Sequence, residues 1–294
     1  MHIPVLKEEV ITYLRLKEGM TIADLTVGGG GHAEEILKKI GPSGRLVAVD
    51  RDREALDAAK ARLTRHGRAV RFFHANYADM DSVFAKLEMR KIDGALFDLG
   101  ASSLQMENRE RGFSFKLNGP LDMRMDTRGG VKASDIVNGY SKRDMARIFK
   151  EYADERFALR IADRIVSQRR RRRIETTGTL ADIVIEALGY RQRFGKIHPA
   201  TRVFMALRIA VNKEIEGLGR ALARLADFLG GGARACVISF HSAEDRLVKN
   251  KFREWAGSGA FKLITKKPVR PGAEEIKSNP RSRSAKLRVA ERLI

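Results

Sequence analysis

The stretch from Thr21 to Asp50 limits the fold of this chain more than any other part of its sequence. It reads TIADLTVGGGGHAEEILKKIGPSGRLVAVD: an apolar run, four glycines, a segment with helical spacing, and a second apolar run ending in an acid. This order is typical of a dinucleotide-type fold, in which glycines let the backbone approach a ligand and the acid accepts ribose hydroxyls. A glycine run alone would indicate only a flexible turn. With strand, helix and acid in register, we predict a nucleoside-cofactor site in which Asp50 binds the ribose.

A carboxylate in the first predicted strand indicates the kind of cofactor. Asp24 lies shortly before the glycines. An anionic pyrophosphate gains nothing from a nearby carboxylate, whereas a sulfonium or an amino group is attracted to it. We therefore predict S-adenosylmethionine, with a nicotinamide dinucleotide as the alternative.

Strands and helices continue to alternate as far as Leu99, which predicts an α/β fold with a doubly wound, mostly parallel sheet. Val70–His74 and Asp93–Leu99 are the third and fourth predicted strands, and an adenine could be met just after the third. In such sheets ligands lie beyond the carboxyl ends of the strands. The residues near those ends, which we predict to meet at one edge, are Asp24, Asp50, Tyr77 and Asp98.

The alternation stops after residue 106. Residues 107–199 show only helical patterns, at Ser134–Asn138, Lys142–Tyr152, Glu155–Arg173 and Thr179–Leu188. Ser141 is a candidate cap of the second helix, and Thr177 or Thr179 of the last. We predict a core of residues 1–106 and 200–294 interrupted by an all-helical subdomain of residues 107–199. A helix from residue 200 to about 229, a strand at 235–240 and an antiparallel pair at 261–265 and 287–293 complete the core.

The charge of the chain predicts a polyanionic partner. It carries 57 Lys and Arg against 37 Asp and Glu, a net charge of +20. Such an excess favours nucleic acid, because binding phosphates releases condensed counterions. Five consecutive arginines, Arg169 to Arg173, are predicted to contact RNA phosphates rather than read bases.

Composition also predicts what this chain lacks. No apolar run approaches the ~20 residues that a membrane helix needs. Cys236 is the single cysteine, and the six histidines show no spacing typical of a metal site, so we predict no metal. A reduced, cytoplasmic protein without a membrane anchor is the simplest interpretation.

Several longer motifs resemble one family. They are HIPVL at 2–6, GGGGH at 28–32, DLGASSLQ at 98–105, RGFSF at 111–115, GPLDMRMD at 119–126, HPATR at 198–202, Phe204 with ALRI at 206–209, SFHS at 239–242 with Glu244 and Asp245, and NPRSRS at 279–284. In this order they resemble the bacterial 16S rRNA (cytosine-N4)-methyltransferases, the small-subunit methyltransferase H group, over essentially the whole chain. The resemblance implies a class I, Rossmann-like methyltransferase core with a helical insert. It also implies methylation of a cytidine in the decoding region of the small ribosomal subunit. The cofactor contacts that it implies are Gly30, Gly31, His32, Asp50, Tyr77, Asp98 and Gln105.

An exocyclic amine is a poor nucleophile, so its methylation needs a nearby group that accepts a proton from it. Asp98 is the predicted acceptor, and Ser102 and Ser103 are predicted to hydrogen-bond the base. Phe113 or Phe115 could stack on a base taken out of the RNA, or could equally belong to the core. The remaining predicted RNA contacts are His241, at the end of a strand, and Arg281 and Arg283, in a basic loop.

Two other functions remain open at this stage. One is a NAD-dependent oxidoreductase on the same nucleotide-binding fold, which Asp24 and the basic charge oppose. The other is a non-catalytic RNA-binding assembly factor, which only an assay of methyl transfer would separate from an enzyme.

Overall fold

The computed structural model describes residues 4–189 and 198–293, and it groups the chain into two compact units. The first comprises Met1–Gly100 and Ile215–Ile294, and the second comprises Ala101–Glu214. The predicted insert had the same helical character but narrower limits, 107–199. Residues 101–106 and the helix that follows Pro199 pack with the insert, whereas the prediction placed them in the core.

A seven-stranded sheet forms the first unit, in the order β3-β2-β1-β4-β5-β7-β6. The strands are β1 (Thr21–Asp24), β2 (Arg45–Asp50), β3 (Val70–His74), β4 (Ile92–Asp98), β5 (Leu229–Ser239), β6 (Phe261–Leu263) and β7 (Lys286–Arg292). Strands β1 to β5 pair in parallel, and β7 runs antiparallel to both β5 and β6. The prediction of a doubly wound, mostly parallel α/β sheet is therefore confirmed, as is the antiparallel final pair.

Alternating side chains bury both faces of this sheet. On β2, Val47 and Val49 belong to one apolar cluster, and Leu46 and Ala48 belong to the other. Both faces are apolar because helices cover each of them, as in other parallel sheets. Val5 and Leu6 of the apolar amino-terminal stretch join the second cluster, while His2 and Ile3 lie outside the described residues.

Helices in the described part of the chain are numbered in chain order. They are α1 (Lys7–Leu14), α2 (Gly31–Ile40), α3 (Arg53–Leu63), α4 (Met80–Lys86), α5 (Ser103–Glu107), α6 (Ala133–Gly139), α7 (Lys142–Ala153), α8 (Ala158–Arg169), α9 (Thr177–Leu188), α10 (Ala200–Asn212), α11 (Glu214–Phe228), α12 (Ser242–Gly257) and α13 (Ala273–Ser278). In this described portion none is long and apolar enough to cross a membrane.

The second unit has its own core, built from the inner faces of α6 to α10. Ser141 caps α7 as predicted, since its side chain accepts a hydrogen bond from the N–H of Asp144. Helix α9 is capped by Thr176 rather than by Thr177 or Thr179. The Thr177 hydroxyl is buried instead, and donates to the carbonyl of Leu117 at 3.0 Å.

Two boundaries differ from prediction around residues 200–232. The single predicted helix is divided at Lys213, whose φ of 49° is left-handed and ends α10. Gly230–Gly232, which directly follow the end predicted for that helix at about residue 229, lie inside β5, where the pairing with β4 shifts register between Ile92 and Gly94. These glycines are in a strand because they pair with β4, which is distant in sequence. The local glycine content does not indicate that pairing.

Candidate active site

The glycine turn joins β1 to α2 and presents an open backbone. Gly30 has a φ of +81°, and a Cβ there would lie 3.3 Å from the Ala59 Cα, so this position favours glycine for both conformation and space. A Cβ on the exposed Gly29 would meet no described atom within 4 Å. One side of the turn is therefore packed against α3, and the backbone at Gly29 can be approached by a ligand.

Asp50, at the end of β2, holds this turn in place. Its Oδ2 accepts a hydrogen bond from the N–H of Gly28, and its Oδ1 accepts one from the N–H of Asp52, both at 2.8 Å. Burial raises the pKa of Asp50, and these two hydrogen bonds oppose the shift. Each carboxylate oxygen keeps a second lone pair, so binding ribose hydroxyls is compatible with this role.

Asp24 ends β1 next to β4, at the point where the strand order reverses. Its side chain is 1% exposed. The pKa of Asp24 is raised to about 7, and burial is the largest cause. The nearby carboxylates of Asp98 and Asp50 also raise this pKa, while His32 and the N–H of Thr26 lower it. The carboxylates of Asp98 and Asp50 lie close enough to affect Asp24, so the charge at this edge favours a cationic ligand.

His32 and Asp98 face each other at the same edge. His32 lies in the first turn of α2, and its Nε2 is 3.5 Å from the Oδ2 of Asp98 at the end of β4. This distance allows attraction but is too long for a good hydrogen bond. Within the described residues neither ring nitrogen of His32 nor the Asp98 Oδ1 has a hydrogen-bond partner, although all three atoms are buried. Buried polar atoms are normally paired, so these three indicate a place for a ligand.

Thr26 connects Asp24 to the backbone of Asp98, and sequence reasoning missed it. The N–H of Asp98 donates to the Thr26 Oγ1 at 2.6 Å, and the N–H of Thr26 donates to the Asp24 Oδ1 at 3.2 Å. The hydroxyl thus fixes the end of β4 against the end of β1. The sequence feature that could have identified Thr26 is its position, as a hydroxyl residue between the acid at the end of β1 and the glycine turn.

Tyr77 follows β3 and is 6% exposed. Its ring meets Phe97 edge to face at 5.8 Å between ring centroids, and the Arg51 guanidinium lies 5.7 Å from its centroid. These contacts fix the ring within the core of the first unit. Its predicted contact with an adenine stays a prediction.

In the second unit, Ser102 and Gln105 form a capping box at the start of α5. The Ser102 Oγ accepts from the N–H of Gln105 at 3.2 Å, and the Gln105 Oε1 accepts from the N–H of Ser102 at 2.9 Å. Gln105 is buried by this arrangement. Ser103 is the first residue of the helix. The roles predicted for these residues toward base and cofactor stay predictions.

Phe113 is buried, which favours the alternative that this ring belongs to the core and does not stack on a base. It is 5% exposed, and the Arg111 guanidinium lies 5.9 Å from its centroid. Arg111 is buried as well and donates to the carbonyls of Arg124 and Met125. A base could reach Phe113 only after this packing opened, so the predicted RNA contact is not what its surroundings favour.

The five arginines divide into two groups. The Arg169 Nη1 donates to the carbonyls of Val137 and Tyr140 at 2.9 and 2.7 Å, joining the end of α8 to the end of α6. The side chains of Arg170 to Arg173 are exposed, and they lie beyond the end of α8, which the prediction had extended to Arg173. Arg169 therefore has a structural role, and the exposed residues keep the predicted role toward phosphate.

His241 caps α12 and is buried. Its Nδ1 accepts from the N–H of Glu244 at 3.3 Å, and its Nε2 lies 3.0 Å from the Glu244 Oε1, in a geometry that does not meet hydrogen-bond criteria. The Glu244 Oε2 accepts from the N–H of Phe240. These contacts give His241 a structural role, and its RNA contact stays a prediction. Arg281 and Arg283 are exposed on the turn Pro280–Ser284.

Fold and site together define a class of protein. A Rossmann-like sheet with a glycine turn and acidic residues at its carboxyl edge is the arrangement of a class I, S-adenosylmethionine-dependent methyltransferase. The sequence of the MraW methylase family matches residues 1–293, and this chain belongs to that family.

Curated relatives share the full length of this chain. The three described here all carry the name ribosomal RNA small subunit methyltransferase H. The protein from Cyanothece sp. is 48% identical over 100% of this chain and 95% of its own. The one from Halothermothrix orenii is 44% identical over 100% and 99%, and the one from Persephonella marina is 44% identical over 99% of each. The predicted family and S-adenosylmethionine as cofactor are confirmed. Membership of a methyltransferase family contradicts the NAD-dependent oxidoreductase alternative, and the non-catalytic alternative is tested by the methylation assay described below.

Proposed function

We propose that this methyltransferase transfers the methyl group of S-adenosylmethionine to N4 of a cytidine in the decoding region of 16S rRNA, in the cytoplasm. The name of its curated relatives, ribosomal RNA small subunit methyltransferase H, supports rRNA of the small subunit as the substrate. The motifs between residues 98 and 126 and the net charge of +20 support the same substrate. A polyanion of this size requires many cationic contacts.

One observation carries the chemical part of the proposal: the buried Asp98 Oδ1 without a hydrogen-bond partner among the described residues. The lone pair of an exocyclic amine is delocalised into the ring, so the amine attacks only if its developing positive charge is stabilised and its proton is accepted. An unpaired carboxylate oxygen at the carboxyl end of β4 is suited to both tasks. We assign the role of proton acceptor to Asp98.

The residues of the first unit fit the cofactor through their charge and their open backbone. Asp50 would accept hydrogen bonds from the ribose hydroxyls, and the backbone at Gly29 would lie along the cofactor. The carboxylate of Asp24 and the unpaired nitrogens of His32 would meet its polar groups. When bound, the cofactor supplies an electrophilic methyl group on a cationic sulfur.

Exposed cationic side chains would hold the RNA. Arg170, Arg171 and Arg172 in the second unit, and Arg281 and Arg283 in the first, suit phosphate contacts because they are exposed. Ser102 and Ser103 would hydrogen-bond the base. A Ser102 Oγ that accepts from a helix N–H keeps its own O–H hydrogen available for donation.

The test is methylation of small ribosomal subunits that lack the modification. Purified enzyme and S-adenosylmethionine are added, and the rRNA is digested and mapped by mass spectrometry. We expect one added methyl group, on N4 of a single cytidine of the decoding region. A product methylated on another atom or nucleotide would reject the N4 assignment, and absence of any methylated nucleotide would reject rRNA as the substrate.

A further inference from the structure

Three aromatic rings of the second unit run from its core to its surface. Phe204, on α10, is 4% exposed and meets Phe115 edge to face at 5.2 Å between centroids. Phe115 is half-buried, and its other neighbour is the His198 ring, stacked on it at 4.3 Å with an interplanar angle of 21°. His198 is exposed. Since one face of the imidazole lies on Phe115, the opposite face is the one on which a ligand could stack.

The His198 ring is fixed in place although it is exposed. Besides the stack on Phe115, its Nδ1 accepts a hydrogen bond from the N–H of Ala200 at 3.2 Å, at the start of α10. An exposed side chain is ordinarily free to change rotamer, and ordering it on binding costs free energy. Here two intramolecular contacts already order the ring, so it can receive a ligand at a reduced entropic cost.

Cationic side chains accompany this pair of rings. Lys116 follows Phe115 directly, and Arg202 lies in the first turn of α10, which begins two residues after His198. Both are exposed. A flat aromatic surface accompanied by cations is the combination that binds single-stranded nucleic acid, through base stacking and phosphate attraction respectively.

We propose that the exposed face of His198, supported by Phe115, is a stacking platform for an unpaired base of the RNA substrate. The proposal rests on RNA as the substrate of the proposed function and adds where an unpaired base is held. Phe113, the other aromatic residue of the same motif, is buried and carries the Arg111 guanidinium, so it cannot present such a face. Stacking is tolerant of base identity, because every base has an aromatic face.

The substitution His198→Asn tests the platform, because it removes the ring and keeps an acceptor for the N–H of Ala200. His198→Phe is the matched control, since it keeps a ring and loses the acceptor. The full-length protein is titrated with a single-stranded 12-nucleotide RNA carrying one 2-aminopurine. A second RNA has an abasic site at that position, and thermal unfolding verifies that each variant folds.

We expect His198→Asn to weaken binding of the 2-aminopurine RNA by roughly 5- to 150-fold and to abolish the fluorescence quenching that stacking causes. Binding of the abasic RNA should change little, and His198→Phe should retain both affinity and quenching. An equal loss for both RNAs would overturn the platform, because the effect would then be one of charge or fold. Unchanged binding by His198→Asn would overturn it as well.

A parallel measurement separates this proposal from the proposed function. Wild-type enzyme is assayed for methylation of small subunits by mass spectrometry. If it methylates them while His198→Asn binds RNA normally, only the platform is rejected. If the wild-type enzyme leaves the subunits unmethylated, the proposed function is rejected. The fluorescence quenching of the 2-aminopurine RNA still tests whether His198 stacks on a base.

Discussion

The carboxylate of Asp50 accepts a hydrogen bond from the backbone N–H of Gly28 at 2.8 Å, across 22 residues of sequence. The acid at the end of β2 thus shapes the glycine turn that follows β1. A second hydrogen bond, from the N–H of Asp52, fixes the other carboxylate oxygen. Asp50 is therefore positioned before any ligand arrives, which lowers the cost of binding one.

Replacing Asp50 with alanine should weaken both cofactor binding and the turn. A lost hydrogen bond to a charged group costs roughly 1.5–3 kcal/mol, which corresponds to about 10- to 150-fold in Kd for each bond to the ribose. Calorimetry with S-adenosylmethionine measures the affinity for the cofactor. Thermal unfolding measures the loss of stability caused by the weakened turn. Asp57→Ala is the control, because this acid is exposed on α3 and its ion pairs with Arg53 and Lys60 lie on the surface. An unchanged Kd in a folded Asp50→Ala protein would contradict the ribose assignment.

Asp24 should make the unliganded protein less stable as the pH rises toward 7. The ordinary pKa of this carboxyl is 3.8, and its pKa in the folded protein is about 7. Between pH 3.8 and pH 7 the folded state therefore binds more protons than the unfolded state. The stabilising contribution is complete below pH ~4 and is lost as the pH rises through 7. At 1.36 kcal/mol per pKa unit the loss is at most about 4 kcal/mol.

The substitution Asp24→Asn isolates this contribution. Asparagine keeps an acceptor for the N–H of Thr26 and cannot ionise, so the variant should gain stability relative to wild type at pH 8 but not at pH 4. Urea unfolding at both pH values measures the difference. Cofactor affinity should rise with pH through 7 in wild type and not in the variant, because only an ionised Asp24 attracts a cation. Parallel stability profiles for the two proteins would contradict the raised pKa.

Asp98→Asn should slow methyl transfer far more than it weakens cofactor binding. It keeps the shape of the side chain and removes the charge that the attacking amine needs as its own positive charge develops. Loss of an acceptor of this kind reduces the rate by roughly 100-fold or more. Single-turnover methylation of small subunits at saturating cofactor measures the chemical step. Asp227→Asn, on the exposed surface of α11, provides a control with the same change in net charge. A normal rate at saturation would make Asp98 a binding residue only.

The exposed arginines and Arg169 should respond differently to substitution. Changing Arg170, Arg171 and Arg172 to glutamine should weaken RNA binding at low salt. It should also reduce the slope of log K against log salt by up to about 2, since each phosphate contact on a single strand contributes about 0.7. Filter binding from 50 to 300 mM salt measures both.

Arg169→Gln is the comparison for that triple variant. It removes the hydrogen bonds to the carbonyls of Val137 and Tyr140, so it should lower the thermal unfolding temperature with little change in the salt slope. A salt slope identical in wild type and the triple variant would show that the exposed arginines do not contact phosphate.

The sequence by itself determined the sheet, the glycine turn, the family and the acids at the strand ends. The sheet, the turn and the acids follow from patterns within about 30 consecutive residues: alternation of apolar runs, helical spacing, and an acid directly after a strand. The family follows from motifs spread over the whole chain. Such local patterns survive because each strand and helix must bury its own apolar side chains. Asp24, Asp50 and Asp98 were predictable for this reason, since strand ends in a parallel sheet share one edge.

Only the tertiary structure decided which side chains pair and which remain unpaired. Thr26 reaches Asp98 across 72 residues, and the unpaired nitrogens of His32 follow from the packing of α2 beside the ends of β1 and β4. Arg169 is indistinguishable in sequence from its exposed neighbours Arg170 to Arg173, and its partners, the carbonyls of Val137 and Tyr140, lie about 30 residues away along the chain. The free energy of such contacts depends on neighbours that the whole fold brings together. The spacing of residues within one segment does not predict those neighbours.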